Sequence, residues 1–484
     1  MNTQNRFRKQ AIFLLLALLA GLGLGGQERF RRTPPLPEPL PALRLPNIES
    51  ATLSNGLRLA VAYRQGLPLL SLQLVILSGE NSSPLQLPGC ATAAAHMFDR
   101  GTLTSSALKI EERIDALGGS LSISVHPDIT LISFTFLGEY LDSALELLAE
   151  MILQPVWTEQ EWVNIRRSLT YELQDKENDP DFVARRLLFR LLYRKQPARE
   201  ALLSSDLFRN MRLKDVSDFA VRHYRPNNAL LVLAGDISLR TAARKVSHYL
   251  NTWPPLPRES PPSRSPRPNS DLRICFVDVP RSAECTIFLG NIGPPASTPD
   301  FFSLLVFNQL LGGTPYSRFF LNLRESKAYA YYAFSEIIFL NTHSIFLVRA
   351  RVRPAAAAAA VAEILREIRR AMTERVLPAE VEQAKSYLLG NFPLTIDRLE
   401  RFSDRVAELQ AFRLGPDHWN QFMENIMLVS GETVQEAVQN LPLLSPVVVI
   451  AGDQSILVDP LRSFEKVEVY DKKGELQYSL SKEK

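Results

Sequence analysis

Two short stretches of this chain occur twice, a little over 200 residues apart, and a proline-rich segment lies between the copies. Leu57-Arg58-Leu59 is echoed by Leu272-Arg273-Ile274, an offset of 272 − 57 = 215. Leu233-Ala234-Gly235-Asp236 is echoed by Ile450-Ala451-Gly452-Asp453, an offset of 451 − 234 = 217. One match alone would be chance. Two landmarks at nearly one offset imply a duplicated unit of about 200 residues, within the ordinary domain range. Between the copies, Pro254 to Pro268 reads PPLPRESPPSRSPRP, which can form neither a helix nor a central strand. The expected division is therefore 50–253, a linker at 254–271, a second half at 272–466 and a tail at 467–484.

The apolar patterns inside each half are mixed. Leu59 to Leu77 reads as two strands, Gly89 to Arg100 as an alanine-rich helix, and Leu108 to Leu117 as a helix stopped by Gly118-Gly119. Ser120 to Leu137 reads as a hairpin around Pro127-Asp128. Helices at Tyr140–Leu153 and Glu159–Glu177 and a buried strand at Ala229–Ala234 complete the first half. The second half has strands at Arg273–Val279, Cys285–Asn291, Ala328–Phe339, His343–Val352 and Val447–Ala451, with helices at Asp300–Leu311 and Pro354–Thr373. The class is α+β: two duplicated domains, each a sheet covered by helices mainly on one face.

Composition excludes several functions. Hydrophobic residues make up 46% and charged residues 22%, ordinary for a globular protein. The net charge of +3 lacks the basic excess of a dedicated nucleic-acid binder. Cys90, Cys275 and Cys285 are too few and too scattered for a disulfide scaffold or a zinc ribbon. Six histidines in 484 residues leave little material for a metal site. At the N-terminus, Arg6, Arg8 and Lys9 precede an apolar run from Ala11 to Gly26, followed by a proline-rich spacer at 27–49. This reads as a cleaved signal peptide or a signal anchor at 1–26, with the bulk of the chain exported to the periplasm or anchored facing it. The run is shorter than the roughly 20 residues that span a bilayer comfortably.

The segment from Gly89 to Thr102, GCATAAAHMFDRGT, resembles the zinc-site helix of the M16 peptidases, the family of insulinase, pitrilysin and the mitochondrial processing peptidase. The likeness continues in order through Leu117-Gly118-Gly119, Glu172, Asn178-Asp179-Pro180, Leu311-Gly312-Gly313, Ser317-Arg318-Phe319 and Leu323-Arg324-Glu325. It runs from about Leu57 to about Ala451 and implies two M16-like domains.

The family's motif is His-x-x-Glu-His, with a third ligand 76 residues beyond the second histidine. Positions i, i+3 and i+4 share one helix face, where two histidines hold zinc and the glutamate activates water. Here those positions are Thr92, Ala95 and His96, and Glu172 stands at the third ligand. A hydroxyl replaces one ligand and a methyl group replaces the base. Losing the base alone removes a proton-transfer contribution of roughly 10²–10⁴-fold. The resemblance therefore implies no metal and no catalysis in this chain alone, with Thr92, Ala95, His96 and Glu172 as vestigial positions. His126, His223, His248, His343 and His418 match no ligand spacing and read as structural, and Cys90 reads as a packing residue.

Active members also carry an Arg and a Tyr seven residues apart in the second domain, which support substrate and the polarised carbonyl across a closed chamber. Arg324 and Tyr331 match that spacing. Ala328-Tyr329 replaces the usual Gly-Leu, so Tyr329 or Tyr332 could take the role by a register slip. A broken zinc motif beside an intact Arg/Tyr pair resembles the non-catalytic chain of bacterial heterodimers. The resemblance implies a zinc-bearing partner with an intact His-x-x-Glu-His motif, zinc on that partner, and peptide or unfolded-protein substrates. Two other readings stand beside it: a purely structural or binding module, and a residual zinc metalloendopeptidase.

Overall fold

A computed structural model of the chain describes residues 46–193, 203–257 and 266–481. The segment read as a signal peptide or anchor, most of the stretch read as a spacer and the middle of the stretch read as a linker lie outside the described residues. Among the described residues, thirteen strands form two sheets. The first sheet holds β1 (Ile48–Thr52), β2 (Arg58–Tyr63), β3 (Leu69–Ile76), β4 (Ser120–Val125), β5 (Thr130–Leu137) and β6 (Ala229–Gly235), in the order β1-β2-β6-β3-β5-β4. The second holds β7 (Arg273–Asp278), β8 (Cys285–Gly293), β9 (Ala330–Phe339), β10 (Ser344–Val352), β11 (Val447–Gly452), β12 (Lys466–Tyr470) and β13 (Leu476–Ser481), in the order β13-β12-β7-β11-β8-β10-β9.

Without the outer strands β1, β12 and β13, the two sheets have one design. β2-β6-β3-β5-β4 corresponds to β7-β11-β8-β10-β9. In both, the first pair is parallel and the next three are antiparallel. The duplicated landmarks lie on β2 and β7 and at the ends of β6 and β11. Both β6 and β11 are buried at every position. Such unbroken apolar runs belong to strands covered on both faces.

The second cover comes from an exchange. One face of the first sheet packs Leu59, Leu72, Phe134 and Leu233 against helices of its own half, including Cys90–Met97 and Leu141–Leu153. Its other face, with Ala60, Val75 and Val232, shares a core with Phe402 and Val406 of the Leu399–Ala411 helix from the second half. Reciprocally, the Pro180–Tyr193 helix of the first half lays Val183, Leu187, Leu188 and Leu192 onto Cys275, Phe288 and Val449 of the second sheet. Each such fully buried leucine or valine stabilises the fold by roughly 2 kcal/mol. The single-face covering expected for each half is thus completed by a helix from the other.

Two expectations change at the ends of the second half. The stretch read as a tail supplies β12 and β13, because Val467 and Val469 alternate inward beside β7. The helix expected over 300–311 is α-helical only at Phe301–Asn308 and then widens into a π-type turn at Gln309–Gly313. A Cβ on Gly312 would lie 2.4 Å from the Ser335 backbone nitrogen of β9, so only glycine lets the turn approach that strand.

Candidate functional site

The Cys90–Met97 helix starts after Gly89, and that residue offers no side chain to cap the first turn. The orphan N–H groups of a helix start need acceptors. Glu80 supplies them. Its carboxylate accepts from the Gly89 N–H at 2.5 Å, the Thr92 N–H at 3.3 Å and the Thr92 hydroxyl at 2.9 Å. Ser83 Oγ accepts from the Ala91 N–H at 3.0 Å. Glu80 is only 5% exposed. Burial pushes its carboxyl up, opposed by the Gly89 and Thr92 hydrogen bonds.

The four positions of the zinc motif therefore have different fates. Thr92 has its hydroxyl turned to Glu80. Ala95 is 2% exposed and forms part of the packed wall. His96 is exposed on the outer face of the helix. The bulk of protein beside its ring still lowers its pKa by desolvation, and the Glu172 carboxylate opposes that. Glu172, on the neighbouring Glu159–Lys176 helix, places Oε1 2.5 Å from Lys176 Nζ. Glu172 lies close enough to His96 for its carboxylate to act on the ring. The set does not fit a zinc ion: one donor is committed to a buried carboxylate, one position has no donor, and one carboxylate is paired. Among the described residues no group of three His, Cys, Asp or Glu side chains is placed to hold a metal.

Three of the other histidines have neighbours of their own. The Tyr193 hydroxyl meets His343 Nε2 at 2.6 Å, Ser78 Oγ meets His223 Nδ1 at 3.0 Å, and His418 packs edge-on to Phe301. Cys90 is 1% exposed and burial pushes its thiol up to about 12, the behaviour of an inert packing residue.

The Arg/Tyr pair lies in the second half and faces outward. Arg324 ends the widened turn at Phe320–Ser326, with its guanidinium 4.7 Å from the centroid of the Phe320 ring and its Nε 3.7 Å from Glu325 Oε1. Ala328 follows with φ 51°, in the left-handed region, where the family has glycine. The chain then enters β9. Ala330 pairs with Val352 and Tyr332 with Arg351, so Tyr331 is the extra residue of a β-bulge. Bulges re-aim a side chain out of the ladder, and Tyr331 is 57% exposed. The three tyrosines of this stretch have different surroundings. Tyr329 packs against the core, the Tyr332 hydroxyl donates to Asp181 Oδ2 at 3.1 Å, and Tyr331 is the tyrosine presented at the surface.

Sequence reasoning missed two further features. Glu80 lies nine residues before Gly89 in an irregular stretch and carries no signal of its own. β4 is an edge strand whose outer side pairs with no other strand among the described residues. Beside it, a cleft of about 440 Å³ opens against the Leu399–Ala411 helix, lined by Ser122, Ser133, Thr135, Glu400, Asp404 and Glu408. The alternating serines of β4 form a polar face, but the carboxylates come from the second half of the chain, Glu400 meeting Thr135 of β5 across 265 residues.

The class is defined by a five-strand unit used twice, each sheet covered by helices. Residues 60–206 match the family described as Insulinase (Peptidase family M16), and residues 210–388 match Peptidase M16 inactive domain. Together these span well over half of the chain, which belongs to the M16 peptidase family. Among curated relatives, the Helicobacter pylori protein named "Non-peptidase homolog YmxG" is 24% identical over 384 residues, covering 77% of this chain and 86% of the relative. The Bacillus subtilis "Uncharacterized zinc protease YmxG" is 23% identical over 292 residues, covering 60% and 69%. Among solved structures, the peptidase M16 inactive domain from Pseudomonas fluorescens superposes with a TM-score of 0.78 at 19% identity, covering 84% of this chain and 98% of that one. The periplasmic protease PqqL from Escherichia coli gives 0.73 at 15% identity, covering 85% of this chain and 46% of that one. Those two likenesses are likenesses of fold.

Proposed function

We propose that this chain is a non-catalytic, substrate-binding subunit of an exported, heterodimeric M16-type zinc metalloprotease. It supplies Arg324 and Tyr331 to a zinc site carried by a partner chain with an intact His-x-x-Glu-His motif. The observation that carries this reading is the opposite treatment of the two half-sites. Of the zinc-motif positions, Thr92 is bonded to buried Glu80 and Ala95 is packed, leaving His96 exposed without a full ligand set, while the bulge turns Tyr331 outward beside an exposed Arg324. The name of the Helicobacter pylori relative agrees with the loss of catalysis.

In this role the chain's own groups act as donors. A guanidinium and a phenol aimed at a developing oxyanion lower the barrier, each typically by several kcal/mol where water is excluded. The open edge of β4 offers unpaired backbone groups to an extended peptide, consistent with unfolded-peptide substrates. Zinc belongs to the partner.

The test is reconstitution. Purified chain is mixed with a zinc-bearing family member, and cleavage of a fluorogenic peptide is followed. The expected result is activity that needs both chains and falls in Arg324→Ala and Tyr331→Phe. Full activity in both variants would leave a purely structural role instead.

A further inference from the structure

A continuous line of contacts connects Arg324 to a carboxylate in the other half of the molecule. The Arg324 guanidinium lies over Phe320. The Phe320 ring packs on Phe334 at 6.1 Å, and Phe334 stacks on Tyr332 at 5.8 Å with an interplanar angle of 19°. Arg349 and Arg351 also lie over the Tyr332 ring, at 5.1 and 5.7 Å. All three end on one residue. Asp181, at the start of the exchanged Pro180–Tyr193 helix, accepts from Tyr332 Oη at 3.1 Å, from Arg351 at 3.0 Å, from Thr286 Oγ1 at 2.6 Å and from Arg349. Asp181 is 7% exposed. Burial opposes its charge, but the bonds from Thr286 and the arginines outweigh that and hold the carboxyl below its usual range.

The placement matters because of the bulge. Tyr332 and Arg351 are the cross-strand pair that closes the bulge on one side of Tyr331. Both are pinned to the same carboxylate oxygen. On the other side, Ala328 holds its left-handed turn. Tyr331 is thus bounded at both ends, and Arg324 is reached through the aromatic stack. We propose that Asp181 is a positioning residue for the Arg324/Tyr331 pair, so that a buried carboxylate of the first half sets where the second half presents both side chains. Its consequence for cleavage rests on the trans-site reading given above; its geometry does not.

The test uses the full chain with 3-fluorotyrosine at position 331 and reads its fluorine resonance in Asp181→Asn and Tyr332→Phe. Tyr332→Phe removes one hydroxyl and keeps the ring, so its melting temperature is expected within about 3 °C of the parent. If Asp181→Asn does not fold, Tyr332→Phe decides alone. A shifted or split resonance is the expected result, with Asp206→Asn, a surface change, leaving it in place. An unmoved resonance in folded Tyr332→Phe overturns the proposal. In the reconstituted cleavage assay, kcat is expected to fall roughly tenfold or more with KM unchanged, as for a misplaced transition-state donor. Where Tyr331→Phe lowers cleavage but Tyr332→Phe leaves kcat intact, the proposal also falls. Where Tyr331→Phe itself changes nothing, the trans-site reading falls, and the fluorine resonance still judges Asp181.

Discussion

The two half-sites of this molecule have been treated in opposite ways. At the first, the protein has turned inward: Thr92 donates to a buried glutamate and Ala95 is part of a wall. At the second, Arg324 and Tyr331 stay at the surface, with Arg324 lying over Phe320. A hydroxyl that finds a buried acceptor can join the packing, whereas the extra residue of a bulge is turned out of the ladder.

The comparison can be broken most directly through pH. Burial lowers the pKa of His343 and of His418 from 6.5 to about 4 each, with Asp128 opposing at His343. Above pH 6.5 both states leave these rings neutral and the stability is complete. Below it the unfolded chain takes up protons that the folded chain refuses. Stability therefore falls from pH 6.5 towards pH 4, by up to about 1.4 kcal/mol per pH unit for each ring. Urea unfolding across this range should show the decline, and His343→Gln should flatten it more than substitution of the exposed His96 by Gln.

Next in size is Glu80. Removing it leaves the Gly89 N–H, the Thr92 N–H and the Thr92 hydroxyl without their acceptor in a buried place. Glu80→Ala should cost about 3 kcal/mol by chemical unfolding. Glu172→Ala, which breaks only an exposed pair, should cost less than about 0.5 kcal/mol. Equal costs would erase the distinction between absorbed and exposed positions. A related graft sharpens it: Thr92→His with Ala95→Glu should not give stoichiometric zinc by metal analysis, because the new glutamate enters a wall with 2% exposure and the new histidine displaces the partner of Glu80.

At the second half-site, Tyr331→Phe should lower reconstituted kcat by about 10²-fold while leaving the unfolding midpoint unchanged. The smallest effect expected is at Ala328. A left-handed backbone costs a residue with a Cβ about 1 kcal/mol, so Ala328→Gly should stabilise the chain by about 0.5–1 kcal/mol, measured by thermal unfolding. A destabilised glycine variant would show that the turn is held for another reason.

Much of this architecture is legible in the sequence because it is local or repetitive. The Cys90–Met97 helix, the Ser120–Leu137 hairpin and the duplicated strands follow from periodicity, and the Arg324–Tyr331 spacing follows from a family likeness. What the sequence does not show is set by distance along the chain. Asp181 meets Tyr332 across 151 residues and Arg351 across 170. Neither contact leaves a pattern within a window of one helix or strand. The same holds for Glu400, which accepts from Thr135 across 265 residues. The bulge is a different case. Ala330 to Phe339 reads as an uninterrupted strand, and only the register against β10 shows that Tyr331 has no partner.

The exchanged helices carry a consequence for how the chain can be cut. The Pro180–Tyr193 helix belongs to the first half by sequence and to the second sheet by packing, and Leu399–Ala411 does the reverse. The halves hold one another as two clasped hands do. A single nick in the proline-rich stretch between them should leave two fragments that migrate together until denatured, whereas either fragment made alone would present an uncovered sheet face to water. Whatever duplication first produced this chain, its two copies have since become inseparable.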